Sequence, residues 1–170
     1  TAQNTKRVAS VEAVSRGSLR KQLGILLTDL MPDATKVGML LTEDNVRVVA
    51  RIIRKYSLKN VVLDPVMISS SGKRLAQRNV PKLLSEKMLP LCQIITPNIY
   101  EASVLSGLKI RSQEDMKKVA VKLKDRGPDT VIITGGHLEG LAMDIVYDGL
   151  FHYLVAKKQR GEYHGTGCIF

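Results

Sequence analysis

Short apolar runs of strand length alternate with amphipathic stretches along all 170 residues, and that alternation predicts an α/β domain with a mostly parallel central sheet and helices on both faces. Two further observations agree. Aromatic residues make up only 4% of the chain and Trp is absent, so Val, Ile and Leu must fill the core. No repeat, low-complexity tract or Pro/Gly/Ser-rich linker divides the sequence, which therefore reads as one domain over residues 1–170.

Each element has a local reason. Leu19, Leu23, Leu26, Leu27 and Leu30 fall at i, i+4, i+7, i+8 and i+11, one face of a helix over residues 16–31. Lys36–Leu41 is a short buried strand. Thr42 can cap a helix over 43–56, whose inner stripe is Val46, Val49, Ile52 and Ile53. Asn60–Leu63 is again an apolar run of strand length, closed by Asp64-Pro65. Residues 79–89 read as helix and Cys92–Ile95 as strand. Thr96 is then the expected N-cap of the next helix, with Pro97 at its first position, where the missing N–H costs nothing. Ser112-Gln113-Glu114-Asp115 has the form of a capping box opening a helix over 112–126, which Gly127-Pro128 ends. Thr130–Thr134 is strand. Asp144–Tyr147 and Phe151–Val155 flank Asp148-Gly149, a strong hairpin signal.

The charge balance is basic, with 26 Lys and Arg against 16 Asp and Glu for a net +10, while mean hydropathy is −0.02. The basic residues are scattered (Arg51, Arg54, Lys55, Lys117, Lys118, Lys122, Lys124), and the densest run is Lys157-Lys158-Gln159-Arg160. That distribution predicts a solvated surface and a field that attracts small phosphates, not a nucleic-acid interface. No apolar run approaches the roughly 18 residues of a bilayer span, and no signal peptide is recognisable. Two cysteines, Cys92 and Cys168, make no disulfide framework, so a cytoplasmic location and no membrane partner are expected.

In parallel sheets of this kind ligands collect outside the carboxyl ends of the strands. Asp64, Thr96 to Glu101 and Gly135-Gly136 fall there. Asn98 and Glu101, spaced i, i+3, can act as a helix cap or offer oxygens to a hydrated Mg²⁺. Asp64 before Pro65 reads equally as a turn residue. Gly165-Thr166-Gly167-Cys168 can form a nest of backbone N–H groups around an anion, with a thiol whose ionisation that field favours, or an ordinary glycine turn. Other signatures are missing. There is no G-x-x-x-x-G-K-[ST] and no complete G-x-G-x-x-G. Ser70-Ser71-Gly72-Lys73 fits S-x-x-K without its companion motifs, and His164 with Cys168 lacks the further ligands a zinc site needs.

Seven segments carry a resemblance when taken in order: Thr1–Thr5 (TAQNT), Lys36–Leu40 (KVGML), Val61–Met67 (VVLDPVM) with Ser71-Gly72, Leu89-Pro90-Leu91, Ile95–Ala102 (ITPNIYEA), Gly135–Leu138 (GGHL) and His164–Cys168 (HGTGC). Together they resemble the ribokinase-like superfamily and, within it, the hydroxymethylpyrimidine/phosphomethylpyrimidine kinases of thiamine biosynthesis. The resemblance implies a three-layer ribokinase-like fold and ATP-dependent phosphorylation of a hydroxymethylpyrimidine and then of its monophosphate. It implies that Gln3 hydrogen-bonds the aminopyrimidine, with Met39 and Val66 against the ring. Gly165, Thr166 and Gly167 would form the anion hole, and Cys168 would be the base that accepts the hydroxyl proton. Thr134, Gly136 and Asn98 would contact the nucleotide, and Asp64, Asn98 and Glu101 would order Mg²⁺ and its waters. A homodimer is also implied.

Two departures stand out. Thr134 occupies the place where the family often has Lys before the Gly-Gly-His, so a hydroxyl replaces a point charge. Relative to the family, N-terminal and C-terminal parts of the fold are expected to lie outside the 170 residues, which start at Thr1 and stop just after the anion hole. Weak or absent turnover by these residues alone is the corresponding expectation. Two other functions fit the same segments: a pyridoxal/pyridoxine kinase, and a non-catalytic pyrimidine-binding remnant of the kinase fold.

Overall fold

The computed structural model describes residues 1–4, 7–69, 72–135 and 142–156. The chain opens with a two-stranded antiparallel ribbon, β1 (Ala2–Gln3) and β2 (Val8–Ser10). Helix α1 (Arg16–Asp29) follows, capped by Ser15, whose hydroxyl accepts from the Ser18 N–H at 3.2 Å. Leu27 of the expected leucine face is buried, and Leu19 and Leu23 pack against the core. Leu26 and Leu30 do not: they are 52% and 61% exposed. Leu26 sits about 100° round the helix from Leu27, and Leu30 is already extended at φ −126°.

The remaining elements build the sheet and its helices. Strand β3 (Thr35–Val37) leads to α2 (Glu43–Tyr56), and Thr42 caps α2 as expected, accepting from Asn45 N–H at 3.2 Å. Strand β4 is Val61–Leu63. The stretch expected as one helix over 79–89 is α3 (Val80–Leu83) continuing into a wide π turn at Leu84–Met88 and a tight 3₁₀ turn at Leu89–Leu91. Then come β5 (Ile94–Ile95), α4 (Ile99–Ser106), α5 (Gln113–Lys124), β6 (Thr130–Ile133) and the hairpin β7 (Ala142–Tyr147) and β8 (Phe151–Ala156). Ser112 caps α5 by accepting from Asp115 N–H, while the Asp115 carboxylate accepts from Arg111 N–H rather than from the cap itself. Asp148–Leu150 make the hairpin turn, because Tyr147 pairs with Phe151.

The six sheet strands lie in chain order, β3-β4-β5-β6-β7-β8. The first four are parallel, β7 pairs antiparallel with β6, and β8 pairs antiparallel with β7. Right-handed crossovers between strands that advance in one direction put the intervening helices on one face. Burial agrees with that. Val37, Val61, Leu63, Ile95, Val131, Ile133 and Ile145 are buried in one cluster with Val46, Val80, Leu105, Met116, Val119 and Leu123 of the helices. On the opposite face Val62, Ile94, Ile132 and Val146 are only half-buried. The mostly parallel sheet is as the sequence predicts, and the helix layer over that second face is not among the described residues. Helix α1 lies beside α2, where Leu27, Val48 and Ile52 form a small cluster of their own.

Past α5 the chain turns back at Gly127, whose φ is +129°. A Cβ there would meet Pro90 Cα at 2.5 Å. Beside it Arg126 Nη1 donates to Ser85 Oγ and to Leu105 O, both at 2.6 Å, which ties three segments together. Gly127→Ala should therefore cost about 2 kcal/mol or more, since overpacking and left-handed strain each cost roughly 1–3. Gly24→Ala, mid-helix in α1 with nothing within 4 Å of its new methyl, should raise stability by about 0.5–1 kcal/mol. Urea melts of the two variants check the opposite signs.

Candidate functional site at the carboxyl ends of β4, β5 and β6

The polar groups that burial does not explain gather where the parallel strands end. Asp64 follows β4, Thr96 follows β5 and Thr134 follows β6. The backbone continues the ladder past the strands: Asp64 N–H donates to Val37 O at 2.8 Å, Thr96 N–H to Leu63 O at 3.0 Å and Thr134 N–H to Pro97 O at 3.1 Å. Asp64, Thr96 and Glu101 are buried, at 7%, 8% and 3% exposure.

Helix α4 starts two residues later than expected. Thr96 is not its N-cap and Pro97 is not its first residue, because Asn98 takes the cap. A residue preceding proline is pushed to extended backbone, which keeps Thr96 out of the helix. Asn98 Oδ1 accepts from Glu101 N–H at 2.9 Å, and Glu101 Oε2 accepts from Asn98 N–H at 3.0 Å. The pair is thus a reciprocal capping box. The second carboxylate oxygen, Oε1, accepts from Met67 N–H at 3.4 Å and so fastens the segment after β4 to α4. The Thr96 hydroxyl is buried with no hydrogen-bond partner among the described residues.

Burial pushes the Glu101 carboxyl up to about 7, and Asp64 adds to the rise, while the N–H donors of Asn98 and Met67 oppose it. Burial also raises Asp64, and Lys36 counters it with its ammonium 3.7 Å from Oδ2. A cluster of oxygen donors in which two carboxyls repel each other is the chemistry a hydrated Mg²⁺ fits. Ionised carboxylates keep lone pairs beyond those their N–H donors use. No group of three His, Cys, Asp or Glu side chains able to hold an ion exists among the described residues, so any cation here would keep several waters.

The other expected site residues divide. Met39 and Val66 stand just beyond β3 and β4, Met39 exposed and Val66 half-buried. Gln3 is exposed in the β1–β2 ribbon, which Lys73 Nζ joins to the segment after β4 by donating to Val8 O at 3.1 Å. Gly136 and Gly165, Thr166, Gly167 and Cys168 lie outside the described residues. Two groups at the site lie outside the sequence expectation. Lys36 is one, and its signal was a lone charge in an apolar strand. Asp144 is another: Oδ1 accepts from Gly135 N–H at 2.9 Å. Gly135 is dictated by crowding, because a Cβ would overlap the Met143 carbonyl oxygen.

Two outcomes follow from these contacts. The folded state holds the Glu101 proton to about pH 7, whereas an unfolded Glu releases it near 4.3. The associated stability is full below that unfolded value and is lost as pH rises through 7. The difference in melting temperature between wild type and Glu101→Gln should therefore change with pH between about 4.3 and 7 and level off above. Thr96→Val, which removes an unpartnered buried hydroxyl, should leave stability unchanged or raise it by about 1 kcal/mol in a thermal melt.

Comparison with known proteins places the chain. The family model described as phosphomethylpyrimidine kinase matches residues 1–170. The hydroxymethylpyrimidine/phosphomethylpyrimidine kinase of Bacillus subtilis is 39% identical over 177 residues, covering 100% of this chain and 64% of that protein. Among solved structures, phosphomethylpyrimidine kinase from Clostridium difficile superposes with a TM-score of 0.81 at 38% identity, over 89% of this chain and 66% of that one. A pyridoxal kinase from Staphylococcus aureus, in complex with AMP-PCP and pyridoxal, superposes with a TM-score of 0.86 at 34% identity, over 99% of this chain and 61% of that one. The chain thus spans about two thirds or less of each relative's length. None of its helices, among the described residues, is long and apolar enough to cross a membrane. Matched from its first residue to its last, the chain belongs to the phosphomethylpyrimidine kinase family.

Proposed function

We propose that these residues form the phosphoryl-transfer part of a hydroxymethylpyrimidine/phosphomethylpyrimidine kinase. The reaction is ATP-dependent phosphorylation of 4-amino-5-hydroxymethyl-2-methylpyrimidine and then of its monophosphate. The observation that carries this reading is the pair of desolvated carboxyls, Asp64 directly after β4 and Glu101 in the first turn of α4. Buried like charges are costly unless a cation meets them, and phosphoryl transfer needs a cation to neutralise the phosphates. The family match and the AMP-PCP in the Staphylococcus aureus neighbour support the choice of nucleotide.

In this scheme Asp64 and Glu101 hold Mg²⁺ through water, with Asn98 keeping Glu101 in place through the capping box. The ion supplies charge neutralisation at the phosphates. Thr134 and Gly136 line the nucleotide, Thr134 as a hydroxyl donor. Gln3 reads the aminopyrimidine, and Met39 and Val66 pack on its ring. Gly165, Thr166 and Gly167 direct N–H groups at the moving phosphoryl group, because backbone donors fixed beforehand stabilise charge as it develops. Cys168 takes the hydroxyl proton as the substrate oxygen bonds to the γ-phosphorus and the bond to ADP breaks. A cytoplasmic homodimer belongs to the same proposal.

A pyridoxal kinase is the second reading, favoured by the Staphylococcus aureus superposition. A non-catalytic pyrimidine-binding remnant is the third. ADP release measured in parallel with the pyrimidine alcohol and with pyridoxal separates the first two. Thermal stabilisation by the pyrimidine without any ADP release would establish the third. If Cys168 is the base, turnover should rise with pH through ionisation of its thiol, and Cys168→Ala should lose at least about 100-fold, the low end for a positioned base. Full turnover with a flat pH profile in that variant would remove Cys168 from the scheme.

A further inference from the structure

Some of the basic residues that look scattered in the sequence come together in space. A hollow of about 240 Å³ opens between α2 and the π turn at Leu84–Met88, lined by Arg47, Ala50, Arg51, Arg54 and Lys87. Every polar side chain in that lining is a cation. Arg47, Arg51 and Arg54 lie at i, i+4 and i+7 of α2, a row about 10 Å long, and Lys87 faces them from the other wall. Arg51 also lines a second hollow of about 210 Å³, together with Arg16, Arg20 and Lys55.

Among the described residues, one member of the row has a carboxylate partner. Glu43 meets Arg47 at 3.6 Å and Asp44 meets Arg16 at 3.9 Å, both from the first turn of α2. Arg51, Arg54 and Lys87 make no ion pair among the described residues. Like charges three and four residues apart on a helix repel, so the arrangement is disfavoured until an anion enters. Guanidinium groups grip phosphate oxygens in pairs, and a row of them suits an anion with several charges along its length. A single phosphate would meet only part of the row.

We propose that this hollow is a binding site for a phosphate chain, meaning two or more linked phosphoryl groups, either inorganic or borne by a nucleotide. It lies between α2 and the π turn, and none of its lining residues belongs to the group at the strand ends. The proposal does not depend on the kinase reading. Arg54 ends the row on α2, and Arg51, which lines both hollows, joins it to the second.

The test uses the whole 170-residue chain at fixed ionic strength, since exposed charges are screened by salt. The Nε–Hε resonances of Arg47, Arg51 and Arg54 are followed during titration with inorganic tripolyphosphate, orthophosphate and ATP. Tripolyphosphate should shift all three in one saturable step and bind at least tenfold tighter than orthophosphate. Arg51→Gln/Arg54→Gln/Lys87→Gln should weaken it at least tenfold, while Lys118→Gln/Lys122→Gln on α5 should change it less than twofold. Equal affinity for tripolyphosphate and ATP assigns the site to the chain itself; tighter ATP binding, lost in the same triple variant, assigns it to a nucleotide. Unshifted arginine resonances would overturn the proposal. So would equal weakening in the α2 and α5 variants, because the anion would then be following only the general positive field.

Discussion

One buried carboxylate holds the candidate site together. Glu101 closes the first turn of α4 with one oxygen and anchors the segment after β4 with the other. Two stretches distant in sequence, one at Met67 and one at Asn98–Glu101, are thereby fixed relative to the ends of the parallel strands. Burial makes that anchor expensive when ionised, and Asp64 beside it makes it more so. The same contact that organises the backbone therefore creates a local excess of negative potential. Structure and electrostatics are here two consequences of one side chain.

The sheet explains why the potential develops at this edge. Parallel strands all end on the same side, so the residues after β4, β5 and β6 are forced into proximity. Strands that follow one another in spatial order leave no switch point among β3 to β6, and their helices crowd one face. The result is a well-packed layer beneath the site, built from Leu63, Ile95, Val131, Ile133 and the inner stripes of α2 and α5. Lys36 then enters from β3, the neighbouring strand, as the one cation paired with Asp64 among the described residues. Its position on the sheet face opposite Val37 follows from the strand's period of two.

Much of the site was readable from residue order. Asp64 before proline, the Asn98 and Glu101 spacing and Gly135 after an apolar run each mark a strand end. Their two possible meanings, cap or ligand, were not separable in the sequence, because both need an oxygen at i and at i+3. Coordinates show that the cap is formed, and that it leaves the carboxylate desolvated rather than idle. Asn98 rather than Thr96 caps α4, and residue type alone does not separate the two. Thr, Asn and Asp are all good caps, and only the backbone, extended at Asn98 with φ −74° and ψ 174°, shows which of them was used. The leucine face of α1 failed similarly, since periodicity reveals a stripe without saying how much of it a neighbour covers.

Local chemistry alone determined the α/β alternation, the caps at Thr42 and Ser112, the turn at Asp148-Gly149 and the family, because each depends on residues within a few positions of one another or on their order. Tertiary structure alone decided which sheet face the helices cover, that Lys36 pairs with Asp64, that Glu101 reaches Met67, and that Lys87 joins the arginines of α2. Those outcomes depend on how strands cross over and how helices align, and no short window of sequence encodes a distance between segments that meet only after folding.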